Sequence, residues 1–338
     1  MAASELRKSL SILFTAGAVV AALLCLYVLA QKLLSHWIFD VAEFNLQMQE
    51  DYLSRDDRPK AKVLILGDST AAANFTARFL DGFSLGLYRA TSIETYYLFK
   101  RYLEQEPKPE CVILSLAYNF DHYIVESFGI FINVGFYSDD ELDEIYELSA
   151  ELNDFPAKDL NPIEFSFFHL KSRLYLDLSG LERIQRLAKP TALSNRLKRF
   201  RAMSRQFNFR RGNFSLQSSQ SKISERIDAY LKREFSALPI YDAYLKRILT
   251  LAQEKGITVN FVRGPIAETG LNETAFAYFE KLGNHLRTVF AEFPEHHLIF
   301  EEKRYPASKM VNPTHLNAQG AKDFTHEIRP FLKCPTSP

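Results

Sequence analysis

The chain has 338 residues, 41 Lys and Arg balanced by 41 Asp and Glu, and a hydrophobic fraction of 47%. That length and apolar content support a sizeable core in one large domain or two small ones, and zero formal net charge removes any whole-molecule bias toward nucleic acid or acidic lipid. Cys25, Cys111 and Cys334 are far apart in unlike surroundings and do not read as a disulfide framework; without paired Cys and His spacings, no structural zinc site is expected either.

Leu10 to Ala30 contains no charged residue, and at ~1.5 Å rise per residue it spans roughly 31 Å, close to the ~30 Å hydrocarbon core of a bilayer. Arg7 and Lys8 precede the run and only Lys32 follows closely, so the positive-inside rule predicts a cytoplasmic N-terminus and an extracytoplasmic remainder. Tyr27 and Trp37 are placed to anchor at the far interface. The rival is a cleaved signal peptide, whose apolar region is shorter, roughly 7–15 residues, and ends at a small-x-small site. Here the run leads into Gln31-Lys-Leu-Leu-Ser-His36, and Leu24 precedes Cys25 where a lipoprotein signal needs a small residue. The expected organisation is a cytoplasmic tail (1–9), a transmembrane anchor (10–34), a polar stalk (35–60) and an α/β domain (61–338).

Within that domain Val63-Leu-Ile-Leu66, ended by Gly67, reads as a buried parallel strand. Thr70 to Leu80 is helix-compatible, Phe83 to Leu87 a second strand, Ser92 to Glu104 a helix with one buried face, and Cys111 to Leu116 a third strand. The pattern resumes with a helix from Pro239 to Lys255 stopped by Gly256, strands at Ile257–Val262 and His297–Phe300, and a last helix from Ala318 to Leu332. Such alternation implies a parallel sheet covered by helices, with ligands beyond the carboxyl ends of the strands. Residues from about 121 to 238 show no alternation and are expected to form a mostly helical insertion. Within it Asp139–Asp154 is acidic, and Arg183–Arg211 is basic with no Asp or Glu. The basic segment is read as a solvated helical face, the alternative being contact with anionic headgroups or a membrane partner.

Three short elements carry candidate chemistry. Gly67-Asp68-Ser69 directly follows a buried strand, which presents Ser69 at the sheet's carboxyl edge and at the start of a helix, where free N–H groups suit a developing oxyanion. Asn312-Pro-Thr-His315 precedes the last helix and places an imidazole to take the serine proton. Asn119 follows the third strand, where its carboxamide can donate into the same cleft. Each alone has a plainer reading, as a turn or a helix cap.

Together these elements resemble the SGNH hydrolase superfamily, also called GDSL esterases, over about residues 61–120 and 255–332. Gly67-Asp68-Ser69 matches its first block and Ser84-Leu-Gly86-Leu-Tyr-Arg89-Ala-Thr91 stands at its second. Asn119 matches the third, and Asn312-Pro-Thr-His315 the fourth. The resemblance implies a three-layer α/β/α fold with Ser69 as nucleophile and His315 as general base, beside Asn312. It also implies an oxyanion hole from the Ser69 and Arg89 backbone N–H groups and Asn119, with Gly67, Asp68 and Gly86 structural. Two positions depart from the pattern. Arg89 replaces a glycine, so that its side chain either crowds the cleft or binds an anionic group of the substrate. Asn312 replaces an aspartate, which leaves an amide to orient the imidazole without charge.

A membrane helix followed by such a domain is similar to bacterial proteins that work beside membrane-bound O-acyltransferases. The implied activity is extracytoplasmic acyl transfer or ester hydrolysis, an O-acetyl group being expected, on a cell-surface or secreted polysaccharide. It needs no cofactor, metal or nucleic acid, and the compartment would be the periplasm in a Gram-negative cell. The alternative is a weak or inactive scaffold that binds glycan or a membrane acyltransferase.

Overall fold

The computed structural model describes residues 14–20, 22–23, 25–26, 41–55, 61–104, 108–116, 125–173, 190–214, 235–268, 273–300 and 303–334. Residues 14–20, 22–23 and 25–26 are helical, with Phe14, Val19, Val20, Leu23 and Leu26 exposed. No helix among the described residues is long and apolar enough to cross a membrane; the rest of the expected 10–34 span lies outside them.

The stretch expected to be a polar stalk instead contains helix α1 (Val41–Leu53), which belongs to the core. Leu46, Met48, Tyr52 and Leu53 are buried in it, as are Asn45 and Gln49. These two amides bond to backbone: Gln49 Nε2 donates to the Ser84 and Gly86 carbonyls at 3.2 Å each, and Tyr88 N donates to Asn45 Oδ1 at 2.9 Å. These bonds offset part of the cost of burial, while Asn45 Nδ2 and Gln49 Oε1 are buried with no hydrogen-bond partner among the described residues.

The centre of the domain is a parallel five-stranded sheet, so the fold is mixed α/β. Its strands are β1 (Val63–Gly67), β2 (Gly82–Ser84), β3 (Cys111–Ser115), β4 (Thr258–Val262) and, after a two-residue strand β5 (Ile266–Ala267), β6 (His297–Phe300). They lie in the order β2-β1-β3-β4-β6. β1 and β3 are buried at every residue, as expected of apolar runs covered on both faces. Three further short strands were not legible as alternation: β7 (Arg304–Tyr305), which pairs with β5, and β8 (Met310–Asn312) with β9 (His315–Leu316), an antiparallel pair.

The expected Thr70–Leu80 helix is divided into α2 (Ser69–Ala73) and a 3-10 turn at Ala77–Leu80, because Asn74 ends α2 and turns its amide to another loop. α3 (Ser92–Glu104) has the expected bounds. Its start is capped from Thr91, whose Oγ1 accepts from Ile93 N at 3.1 Å while Glu94 reaches back to accept from Thr91 N at 2.7 Å, so two N–H groups at the helix start are satisfied. Between β3 and β4 come α4 (Val125–Asn133), α5 (Asp139–Glu151), α6 (Pro162–Arg173) and α7 (Pro190–Phe209). The acidic start of α5 follows a Ser138–Glu141 capping box, where negative side chains suit the helix N-terminus. α8 (Pro239–Glu254) packs along α3, with Ser92 Oγ bonded to the Tyr241 carbonyl at 2.7 Å and the Tyr97 and Tyr244 hydroxyls 2.9 Å apart. α9 (Glu273–Ala291) and α10 (Ala318–Ile328) complete the fold, α10 running into a 3-10 turn at Arg329–Phe331 rather than continuing to Leu332.

The cysteine reading needs correction. Cys111, at the start of β3, is disulfide-bonded to Cys334 across 223 residues of sequence, with Cα atoms 5.2 Å apart. The wide spacing that argued against a pair is what joins the C-terminal tail to the central sheet. Cys25 is free and exposed.

Candidate active site

Ser69 lies where β1 ends. Gly67 has φ +132, and a Cβ there would run into the Ser115 carbonyl of the neighbouring strand, so only glycine lets the chain leave the sheet at this point. Asp68, buried, caps α2 by accepting from Thr70 N and Thr70 Oγ1 at 2.7 Å each, and Thr70 Oγ1 contacts Ser115 Oγ at 3.1 Å. Asp68 is therefore spent on anchoring the helix start. In α2, Thr70 to Ala73 are buried and Ser69 alone is half-exposed.

The partner of Ser69 comes from the β8–β9 hairpin, in which Asn312 and His315 pair across a two-residue turn, Pro313-Thr314. Proline suits the first turn position, and the preceding asparagine folds its carboxamide back over the turn. Asn312 Oδ1 accepts from Thr314 N at 3.0 Å and His315 N at 2.9 Å. These donors fix the oxygen toward the ring, and it lies 2.9 Å from His315 Nδ1, with Thr314 Oγ1 also at 3.0 Å. An acceptor at Nδ1 selects the tautomer with its proton there, leaving the Nε2 lone pair free. Nε2 is 2.9 Å from Ser69 Oγ, a base within reach of a nucleophile and oriented by a third group.

The ring retains some exposure to solvent but is closely surrounded by protein. Burial pushes its pKa down from 6.5 to about 4, because the charged form loses hydration and an amide gives nothing back. At neutral pH the imidazole is uncharged and able to accept a proton, though it is a weaker base than one beside a carboxylate.

Sequence reasoning missed the residues that hold these pieces together. Asn74, fully buried at the end of α2, donates to the Thr314 carbonyl at 3.0 Å and accepts from Leu316 N at 2.8 Å. It grips the backbone on both sides of His315 and ties it to the helix of Ser69. Asn213, just after α7, donates to the Ala71 and Ala72 carbonyls at 3.2 and 3.1 Å and accepts from Ala77 N at 2.7 Å. This part of the insertion thus satisfies carbonyls at the end of α2, the helix that begins at Ser69. An asparagine beyond the matched blocks gives no periodic signal, so neither was visible beforehand.

The Ser84–Thr91 loop lies beside the turn that carries Ser69, with Leu87 N donating to the Gly67 carbonyl at 2.9 Å. A Cβ on Gly86 would strike the α2 backbone at Ala71 and Ala72. Arg89 is exposed and has φ +66, the left-handed region that glycine favours. The backbone therefore keeps a glycine-like turn with an arginine on it, and the side chain projects outward. The Ser69 and Arg89 N–H groups donate to no acceptor among the described residues. Asn119 lies outside the described residues. Among those described, no group of three or more His, Cys, Asp or Glu side chains could hold a metal ion. No protein-family model matches this chain, and no curated protein matches it.

Proposed function

We propose that this protein is a serine-dependent acyltransferase or esterase of the SGNH type, with the three-layer arrangement of that superfamily. The observation that carries the reading is the hydrogen-bonded series Ser69 Oγ, His315 Nε2, His315 Nδ1 and Asn312 Oδ1 at the edge of a parallel sheet. The Ser69 hydroxyl proton passes to His315 Nε2 as Oγ bonds to the acyl carbonyl carbon. The tetrahedral oxyanion is met by the Ser69 and Arg89 N–H groups and Asn119. As the intermediate collapses, the leaving alcohol takes the proton from His315, and the acyl group remains on Ser69. A sugar hydroxyl or water then gives its proton to His315 as it attacks the ester carbonyl, and His315 returns that proton to Ser69 Oγ as the acyl–serine bond breaks. Transfer and hydrolysis differ only in this second nucleophile.

The proposed setting is extracytoplasmic, with residues 10–34 anchored in the inner membrane, a polysaccharide as acceptor and a membrane-bound O-acyltransferase as partner. Exposed apolar side chains on the helical residues 14–20, 22–23 and 25–26 support the anchor. The Cys111–Cys334 disulfide supports the compartment, since disulfides persist where the surroundings are oxidising. The missing carboxylate at Asn312 favours a second reading, a non-catalytic scaffold. Turnover of p-nitrophenyl acetate by the protein and by Ser69→Ala separates the two: the enzyme reading requires loss of nearly all turnover in the variant, and equal rates would leave the scaffold.

A further inference from the structure

The solvent side of α7 is cationic and aromatic. Phe200 and Phe207 are buried, while Lys198, Arg201, Ala202, Arg205, Asn208 and Phe209 are exposed, positions within roughly 120° of one another on a helix of ~3.6 residues per turn. Arg183 to Arg211 holds no acidic residue. Arg211 is engaged by Asp81 at 2.8 Å, but Lys198, Arg201 and Arg205 form no ion pair with a described residue. Phe209 is 69% exposed, with the Arg78 guanidinium 5.4 Å from its ring centre. Water does not favour leaving a large aromatic among unpaired cations, whereas a charged lipid interface accepts both.

The buried side of α7 rests on α1, Phe200 stacking on Phe44 with ring centres 4.3 Å apart. Phe44 is in the first turn of α1, whose first residue, Val41, comes soon after Ala30, the last of the uncharged run. At no more than ~3.5 Å per residue, the chain between them spans at most about 38 Å whatever its conformation. α7 is thus packed on the part of the domain that the chain keeps closest to that run.

We propose that the exposed face of α7 docks on the anionic headgroups of the membrane carrying the anchor, with Lys198, Arg201, Arg205 and Arg78 meeting phosphates and Phe209 entering the interface. The proposal rests on the anchor at 10–34. An acidic polysaccharide would match the charge, but it would not account for the exposed Phe209 or for the short tether. Screening confines such attraction to about 8 Å at physiological salt, so the face acts only when seated and fixes the domain's orientation.

The test uses the full chain carrying Cys25→Ser and a nitroxide on Ala202→Cys, in nanodiscs of phosphatidylcholine alone or mixed with phosphatidylglycerol. Paramagnetic relaxation measures access of a water-soluble nickel chelate to the label. Access is expected to fall several-fold when phosphatidylglycerol is present, and to return in high salt and in the Lys198→Glu/Arg201→Glu/Arg205→Glu variant. Equal access in both lipids overturns the proposal, as does protection that appears only when an acidic polysaccharide or another protein is added. A chain that does not co-elute with the discs overturns the anchor reading and this proposal with it.

Discussion

In the Asn312–His315 hairpin an amide oxygen accepts the Nδ1–H hydrogen bond that a carboxylate accepts in a charged triad, so the imidazole is oriented without being made more basic. The proposed mechanism requires a neutral His315, and with its pKa near 4 the ring is neutral above that value. Activity is therefore expected to be level from about pH 5 upward and to fall only as pH drops through 4. Asn312→Asp restores a negative neighbour, which raises the imidazole pKa. The acidic limb of kcat/KM then moves up by a unit or more, and the rate at pH 8 rises by about tenfold; a profile unchanged by the substitution contradicts the assigned orientation of the ring. The same depressed pKa makes folding pH-dependent, because the unfolded chain binds a proton below about 6.5 and the folded one only near 4. This contribution to stability is present above 6.5 and lost as pH falls toward 4. Asn74→Ala removes both grips on the His315 backbone. kcat should fall by about 10–100-fold with KM little changed, as misplacement of a catalytic group predicts. Equal changes in both constants would assign Asn74 to substrate binding instead.

At the scale of elements, β1, β3, β4 and β6 and helices α3 and α8 were legible because apolar runs and one-faced periodicity are local properties. The turn at Ser69 was legible for a related reason, since Gly67 before Asp68-Ser69 marks a chain leaving a buried strand. α1 was not, because a polar, mixed stretch reads as a solvated stalk, whereas Asn45 and Gln49 are buried against the Ser84–Thr91 loop. The split after Asn74 was also hidden, since an alanine-rich stretch continues as helix unless a distant backbone draws the asparagine away. The close approach of β1 and β3 has a direct consequence. Gly67→Ala puts a methyl into the Ser115 carbonyl and a left-handed strain on the backbone, and should cost about 3 kcal/mol or more. Urea unfolding of the variant measures this, and a loss below about 1 kcal/mol would show that the turn relaxes.

For the whole molecule, the disulfide between Cys111 and Cys334 closes a loop that runs from the start of β3 to the C-terminal tail, 223 residues apart in sequence. Cross-linking so long a loop constrains the unfolded chain and typically stabilises by about 2–4 kcal/mol. Cys111→Ser or a reductant should therefore lower Tm by several degrees. No change in Tm on reduction would mean that the tail is held by its packing alone, including the Lys333 N–H bond to Asn260 Oδ1 at 2.8 Å. The pairing escaped sequence reasoning because it is set by the return of the chain after α10, a property of topology rather than of spacing.

The central claim concerns one oxygen atom, and a fluorophosphonate reports on it without any assumption about donor or acceptor. Intact and peptide mass spectrometry should find a single phosphonyl group on the peptide containing Ser69, absent in Ser69→Ala and formed far more slowly in His315→Ala. No adduct, an adduct on another residue, or equal labelling without His315 would contradict Ser69 as a nucleophile activated by His315.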